Sequence, residues 1–279
     1  MADNIHLQPA DPVRIGSGSF GNIYLIGDGS AVAYKEVQRP SDAAVLHDEF
    51  ATLEKIYSCC DMDSFFVIPR ALAFSDPSTS RFHEAPPGPT RRRPLRPAAA
   101  YLPPPTPVGP ALCRLYFGKR YAARFASAAN FPVDAQRYER LRASFAWLPS
   151  QEEVAAGMGE MVGRLHWAAG VDARGVEFVM GGDGGSGAAF FVIDYDQVPP
   201  AQVRRWADVG DLVRAFFAND PYFPRPRQGD PLYLAFKRAY LEQYGQSTMH
   251  VGEAFIEAIQ AEQATRDSRA ASSTPDIES

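Results

Sequence analysis

The alternation of hydrophobic and polar positions changes from strand-like to helix-like along the chain. Val13–Ile26 and Ala31–Val37 are rich in β-branched and aromatic residues and are joined by a Gly/Asp turn, which predicts a β-hairpin. The period becomes helical over residues 41–57, and Gln151–Ala169 carries the clearest amphipathic pattern. This order predicts an α+β fold of two lobes, with an N-terminal antiparallel sheet and one helix, followed by a mainly helical C-terminal half.

Shorter segments complete the predicted elements. The pattern favours a helix at 110–118 and a further amphipathic segment near Ala135–Arg142. Gly170–Val179 and Phe190–Ile193 bracket a glycine-rich turn, which predicts a second hairpin. Residues 201–259 are helical in pattern. Because clefts between lobes are favoured ligand sites, we expect a binding site where the two lobes meet.

Composition narrows the function classes. The chain has 279 residues, of which 46% are apolar, and a net charge of −5. The apolar share allows a sizeable core, and the mild acidity argues against a dedicated nucleic-acid binder. The three cysteines include no C-x-x-C pair, so neither a disulfide framework nor a structural zinc site is expected. No signal peptide or membrane-spanning run is visible, which predicts an intracellular protein, cytoplasmic or nuclear, without membrane association.

Three glycines at the start of the predicted hairpin form a candidate phosphate-binding loop. Gly16, Gly18 and Gly21 match the pattern G-x-G-x-x-G. A dinucleotide-binding fingerprint requires a helix directly after the glycines, whereas this chain continues as a strand. The pattern therefore favours a glycine-rich hairpin that covers nucleotide phosphates with backbone N–H groups and with no Cβ to obstruct them.

Two charged residues after this loop have the spacing of a nucleotide cleft. Lys35 lies on the second strand of the hairpin, in the place where protein kinases carry a lysine that reaches the α- and β-phosphates. That lysine is held by a glutamate on the next helix. Glu49, fourteen residues on, is the best candidate for this partner, and Glu54 is the second choice.

Three acidic residues in the second half have the spacing of a phosphoryl-transfer site. Asp172 and Glu177 are five residues apart, like the catalytic aspartate and the metal-binding asparagine of H-R-D-x-x-x-x-N. Asp194 ends the apolar strand Phe190–Ile193, where kinases place a metal-binding aspartate. Glu177 and Asp194 offer the hard oxygen ligands that Mg²⁺ prefers, and Asp172 is placed to orient an acceptor hydroxyl.

The order of these elements resembles the protein-kinase-like superfamily. Ile193–Asp196 and Asp208–Val213 are more similar to the aminoglycoside and choline phosphotransferase branch than to protein kinases. Most closely, Leu165–Trp167, Gly175–Val179 and Ala215–Pro226 resemble a fungal family of unknown function with this fold, whose members are sometimes labelled zinc finger proteins. The resemblance covers roughly residues 10–245.

The resemblance implies one kinase-like domain, a bound nucleotide and a set of site residues. ATP and Mg²⁺ are the implied cofactors, and no zinc is expected. Eleven of the 24 prolines lie between Pro77 and Pro110, and in a kinase-like fold they fall in an insertion and in the connection between the lobes. The implied organisation is a flexible N-terminus (1–12), a domain (13–260) with an N-lobe (13–102), a Pro/Arg-rich insertion (76–97), a hinge (103–110) and a C-lobe (111–260), and a disordered tail (261–279).

Departures from the catalytic pattern leave two functions open. Gly170 and Val171 replace the His and Arg of H-R-D, Glu177 replaces the metal-binding asparagine, and no A-P-E segment follows. One function is an ATP-Mg-dependent phosphotransferase that acts on a small-molecule hydroxyl. The other is a catalytically degraded, pseudokinase-like interaction module, which would contact a protein partner through its Pro/Arg-rich loop.

Overall fold

The computed structural model describes most of the predicted domain. The described residues are 12–18, 20–25, 32–61, 63–76, 78–79, 81–85, 113–121, 131–182, 188–197, 209–219 and 221–272. The predicted hinge at 103–110, most of the Pro/Arg-rich insertion at 76–97, almost all of the N-terminal segment 1–12 and the last seven residues lie outside this set.

Within the described residues the fold mixes helices with three small sheets, which confirms the α+β class. The strands are β1 Val13–Ser17, β2 Gly21–Leu25, β3 Ala33–Val37, β4 Ala73–Asp76, β5 Arg81–Glu84, β6 Cys113–Tyr116, β7 Phe131–Asp134, β8 Glu177–Gly182 and β9 Ala188–Ile193. The α-helices are α1 Ala43–Cys60, α2 Ala135–Ser144, α3 Gln151–Arg164, α4 Gly210–Ala218, α5 Pro231–Leu241 and α6 Met249–Ser272.

The N-terminal strands form a three-stranded antiparallel sheet in the order β1-β2-β3. The predicted hairpin is therefore present as β2 and β3, with Ile23 opposite Lys35. The register of β1 against β2 shifts between Arg14 and Gly16, which marks a bulge next to the first loop glycine. Helix α1 follows β3, close to the predicted 41–57, so the sheet and one helix are arranged in the predicted order.

Two neighbouring cysteines at the end of α1 lead to a labelling prediction. The Sγ atoms of Cys59 and Cys60 lie 3.6 Å apart. The hydrogen bond with Cys60 lowers the pKa of Cys59 to about 7, whereas burial raises the pKa of Cys113. Because the thiolate is the nucleophile, we expect iodoacetamide at about pH 7.5 to alkylate Cys59 roughly tenfold faster than Cys113. Peptide mass spectrometry measures both rates, and equal rates would contradict this assignment.

The prediction of a helix at 110–118 is wrong for residues 113–118, the part of this range that the structure describes. Cys113–Tyr116 is strand β6, in the middle of a four-stranded sheet with the order β7-β6-β8-β9. Strand β6 pairs with β7 in parallel and with β8 in antiparallel orientation. A short apolar run does not distinguish a helix from a strand by its period, and the pairing partners, which come later in the chain, decide the outcome. The second predicted hairpin is present as β8 and β9.

Another strand pair lies at the edge of the predicted insertion. Strand β5 pairs with β4 in antiparallel register, although residues 81–84 belong to the stretch assigned to the Pro/Arg-rich insertion. The backbone N–H of Ala85 donates to the carbonyl of Leu72 at 2.9 Å, which closes this pair. The start of the predicted insertion is therefore part of a small sheet.

The C-terminal helices pack closely around an aromatic core. Helices α3 and α5 pack closely at Gly159 and Gly163 of α3. A Cβ on Gly163 would lie only 2.9 Å from the carbonyl oxygen of Tyr240, so a larger residue would not fit there. The core between the helices includes stacked rings of Phe216 and Phe223, whose centroids are 4.8 Å apart. The capping box of Ser150 and Glu153 fixes the start of α3.

Helix α6 extends through most of the predicted disordered tail. It reaches Ser272, so the assignment of residues 261–272 to the tail is wrong. Gln263 is buried, and Asp267 forms a bidentate ion pair with Arg227 at 2.7 and 2.8 Å. These contacts attach a polar helix end to the domain. No helix in the described part of the chain has the length and apolarity needed to cross a membrane.

A buried histidine after α3 makes the stability of the fold depend on pH. His166 lies in a π-helical turn, is 2% exposed and is 3.0 Å from the hydroxyl of Tyr240. Burial lowers its pKa to about 3 from an ordinary value near 6.5. Below about pH 6.5 the unfolded chain binds a proton at His166 that the folded chain does not. The contribution of His166 to the free energy of unfolding is therefore complete above about pH 6.5 and is lost as the pH falls.

We therefore expect the free energy of unfolding to fall by up to about 1.4 kcal/mol for each pH unit below 6.5 on account of His166. Urea unfolding between about pH 7 and pH 5 measures this slope. His166→Gln should flatten it, whereas His250→Gln, at an exposed position, should keep it. An unchanged slope in His166→Gln would show that other groups carry the pH dependence.

Candidate functional site

The structure joins Lys35 and Glu49 in an ion pair. The Nζ atom of Lys35 lies 2.6 Å from Oε2 and 2.9 Å from Oε1 of Glu49. Both side chains are largely buried, with exposed fractions of 23% and 12%. Burial raises the pKa of Glu49, and the charge of Lys35 opposes that shift. A pair shielded to this degree sets the position of the ammonium group much more firmly than a surface pair does.

The glycine loop lies directly against this lysine. The N–H of Gly18 donates to the carbonyl of Gly21 at 2.8 Å and closes the turn between β1 and β2. A Cβ on Gly21 would lie 3.1 Å from Cε of Lys35, so a glycine there lets the strand approach the lysine side chain. Phe20, which sequence reasoning missed, places its ring 4.3 Å from Nζ of Lys35. Gly16 lies at the bulge of β1.

Asp194 lies at the end of β9 and faces the same group of charges. Its φ is 69°, a left-handed conformation that a non-glycine residue adopts only where the surroundings enforce it. Burial, the largest cause, and the charges of Asp196 and Glu177 together raise the pKa of Asp194 to about 7, and the charge of Lys35 opposes this shift. The structure thus brings Lys35 and Glu177, predicted from distant parts of the sequence, within electrostatic range of Asp194.

Glu177, predicted as a metal ligand, is held by an arginine instead. Arg114 of β6 approaches Oε2 of Glu177 with Nε at 2.7 Å and with its terminal nitrogen at 2.6 Å. The two side chains are largely buried, with exposed fractions of 21% and 16%. Sequence reasoning missed Arg114 because it expected a helix at this position. The spacing between Asp172 and Glu177 in the sequence does not indicate that an arginine pairs with Glu177.

These contacts decide how well the residues fit Mg²⁺. The carboxylate of Asp194 is an oxygen donor of the kind that Mg²⁺ prefers. The carboxylate of Glu177 is engaged by Arg114, whose positive charge would repel a divalent ion. In the described ranges, no three or more His, Cys, Asp or Glu side chains are grouped so that they could hold a metal. The implied pair of ligands, Asp194 and Glu177, therefore does not fit Mg²⁺ in this arrangement.

Asp172, the predicted catalytic residue, lies in a loop that is hydrogen-bonded to the end of helix α4. Oδ1 of Asp172 accepts a hydrogen bond from the backbone N–H of Arg174 at 3.0 Å. Asn219, at the end of α4, clamps this loop: its amide donates to the carbonyl of Ala173 at 2.6 Å, and its Oδ1 accepts from the N–H of Gly175 at 2.8 Å. Asn219 lies within the stretch Ala215–Pro226 that carries the family resemblance, and its position in the sequence gives no sign of this role.

Comparison with known proteins adds one finding. Residues 190–250, which include α4 and α5, match a family model described as a zinc finger protein, and this supports the label that the resemblance carries. The match covers well under half of the chain. The matched residues contain no cysteine and one histidine, His250, so this stretch alone does not supply four zinc ligands. No curated protein and no solved structure matches the chain.

Proposed function

We propose that the chain is a nucleotide-binding protein with the two-lobed, protein-kinase-like arrangement of the fungal family that it resembles. The observation that carries this proposal is the shielded Lys35–Glu49 pair, with Gly21 against the lysine. A lysine fixed by a helix glutamate beneath a glycine-rich hairpin is the arrangement that contacts the α- and β-phosphates of ATP in kinases. Gly16, Gly18 and Gly21 would cover the phosphates with backbone N–H groups.

The stability of the protein in the presence of ATP tests this proposal. A ligand at about 100 times its dissociation constant adds roughly 2.7 kcal/mol to the free energy of unfolding. We expect such a gain with millimolar ATP and Mg²⁺, measured by urea unfolding, and no gain in Lys35→Ala. Arg238→Ala, a change at a position that is 74% exposed on α5, serves as the control. No gain in the wild type would contradict nucleotide binding.

Transfer of phosphate from bound ATP to a small-molecule hydroxyl is the first candidate activity. Asp172 would orient the hydroxyl, and the absence of an A-P-E segment from the sequence favours a small acceptor over a protein. Asp194 would lie near the phosphates of the bound ATP, on the same side as Lys35. ATP turnover that vanishes in Asp194→Ala, with ATP still bound, would support this candidate.

The Arg114–Glu177 ion pair favours the second candidate, a pseudokinase-like interaction module. It engages the carboxylate that stands where a kinase has its metal-binding asparagine. In that case the protein would bind ATP without turning it over, and its Pro/Arg-rich loop would contact a protein partner. Deletion of residues 86–97, which spares strand β5, should then abolish partner binding and leave ATP binding unchanged.

A further inference from the structure

A polar cavity of about 440 Å³ lies between the end of β6, helix α2 and the start of α5. Its volume is within the range of sites for small molecules. Tyr116 connects this cavity to the candidate site. It lines the cavity, its ring centroid is 4.9 Å from that of Tyr222, and Arg114 is within electrostatic range of both tyrosines. Arg114 and Tyr116 are two residues apart on β6, so their side chains share one face of the sheet.

The charged residues around the cavity are mainly basic, although the chain as a whole has a net charge of −5. The lining contains four cations and two carboxylates: Lys119, Arg120, Arg225, Arg227, Glu139 and Asp230. Both carboxylates already have donors of their own. Glu139 accepts from Gln151 at 2.8 Å, and Asp230 accepts from the backbone N–H groups of α5 at 2.9 and 3.1 Å.

Lys119 and Arg120 are the cations that remain for a ligand. Among the described residues neither forms an ion pair, and the contact of Lys119 is with the ring of Tyr121, 6.0 Å away. Arg225 is partly buried and donates through Nε to the carbonyl of Gly118 at 2.7 Å, which fixes its guanidinium at the cavity wall. Arg227 is neutralised by Asp267. With Arg227 paired to Asp267, three cations remain against the two carboxylates of the lining, and this surplus of one positive charge favours an anion over a cation.

We propose that this cavity binds a small hydroxyl-bearing organic anion through Lys119 and Arg120. The anionic group lies against these two cations, and the body of the ligand extends along Tyr116 toward Arg114 and Glu177. The position next to the candidate nucleotide site makes this anion the second ligand of that site. The hydroxyl group and the role as second ligand rest on the proposed function, whereas the binding of the anionic group by Lys119 and Arg120 does not.

Calorimetric titration of the full chain without nucleotide tests the proposal. The probes are glycerol 3-phosphate, its neutral counterpart glycerol and the cation choline, at about 50 mM salt to limit screening. We expect glycerol 3-phosphate to bind and the other two not to bind. The double variant Lys119→Gln/Arg120→Gln should bind glycerol 3-phosphate about tenfold more weakly or worse. Arg238→Gln, an exposed cation outside the cavity, should bind it like the wild type.

Three results would overturn the proposal: no binding of glycerol 3-phosphate to the wild type up to about 10 mM, equal binding of choline, or equal affinity in the double variant. Because Lys119 and Arg120 are exposed, the double variant should fold, and its circular dichroism checks this. ATP titrations of the same proteins separate the two claims. If the wild type did not bind ATP, the proposed function would be contradicted but the anion site would not, since the anion titrations contain no nucleotide.

Discussion

Replacing Gly159 with alanine is expected to destabilise the protein by roughly 3 kcal/mol or more. Gly159 lies in α3 where this helix crosses α5. A Cβ on Gly159 would overlap the carbonyl oxygen of Phe236 and lie 2.8 Å from its carbonyl carbon. Both atoms belong to the backbone of α5, so relief requires the two helices to move apart. In an isolated helix the same change stabilises by about 1 kcal/mol, which makes the sign of the effect informative.

Urea unfolding of Gly159→Ala measures this effect. Gly181→Ala is the control, because a Cβ on Gly181 would meet no atom closer than 3.8 Å. The control should change the free energy of unfolding by less than about 1 kcal/mol. If Gly159→Ala were as stable as the wild type, α3 and α5 would not pack as closely as described.

Asn219→Ala is expected to cost roughly 2 kcal/mol, because it leaves the buried carbonyl of Ala173 and the partly buried N–H of Gly175 without the amide that pairs with them. The loop that carries Asp172 depends on these two bonds. Asn219 is 6% exposed, so water does not readily replace the lost amide. Any activity that depends on Asp172 should fall together with the stability.

A matched control separates the clamp from a general effect of losing an asparagine. Asn22→Ala removes a hydrogen bond to Ser17 that lies on the surface, and it should change the free energy of unfolding by less than about 0.5 kcal/mol. Hydrogen exchange of the Gly175 amide reports on the clamp itself. Unchanged protection of this amide in Asn219→Ala would contradict the assigned role.

The N-terminal part of the site could be predicted because its signals are local. The glycine spacing and the strand after it identify the hairpin, and the place of Lys35 on the second strand follows from the turn length. Glu49 lies on the next helix, fourteen positions after Lys35, and this short separation is enough to bring the two together. Propensity and turn chemistry over short distances are what sequence reasoning uses well.

The second half of the site depends on contacts between distant residues. Arg114 and Glu177 are 63 positions apart, and they meet because β6 pairs with β8. The apolar run around Arg114 does not show by its period that it is a central strand. Asn219 is 44 positions from Gly175, and an asparagine after a helix is an ordinary end signal. The end of α6 was also missed, because its polar composition hides the pairing of Asp267 with Arg227.

The measurement that tests the central claim most directly is the dissociation constant of ATP, determined by calorimetry for the wild type and for Lys35→Ala, in excess Mg²⁺ and again in EDTA. We predict a dissociation constant of about 50 μM or below for the wild type, as the expected stabilisation at millimolar ATP requires, and at least tenfold weaker binding for Lys35→Ala, since the variant loses a charge-assisted phosphate contact. Wild-type binding that is absent in both buffers, or equal in the two proteins, would contradict the claim that Lys35 and Glu49 form a nucleotide site.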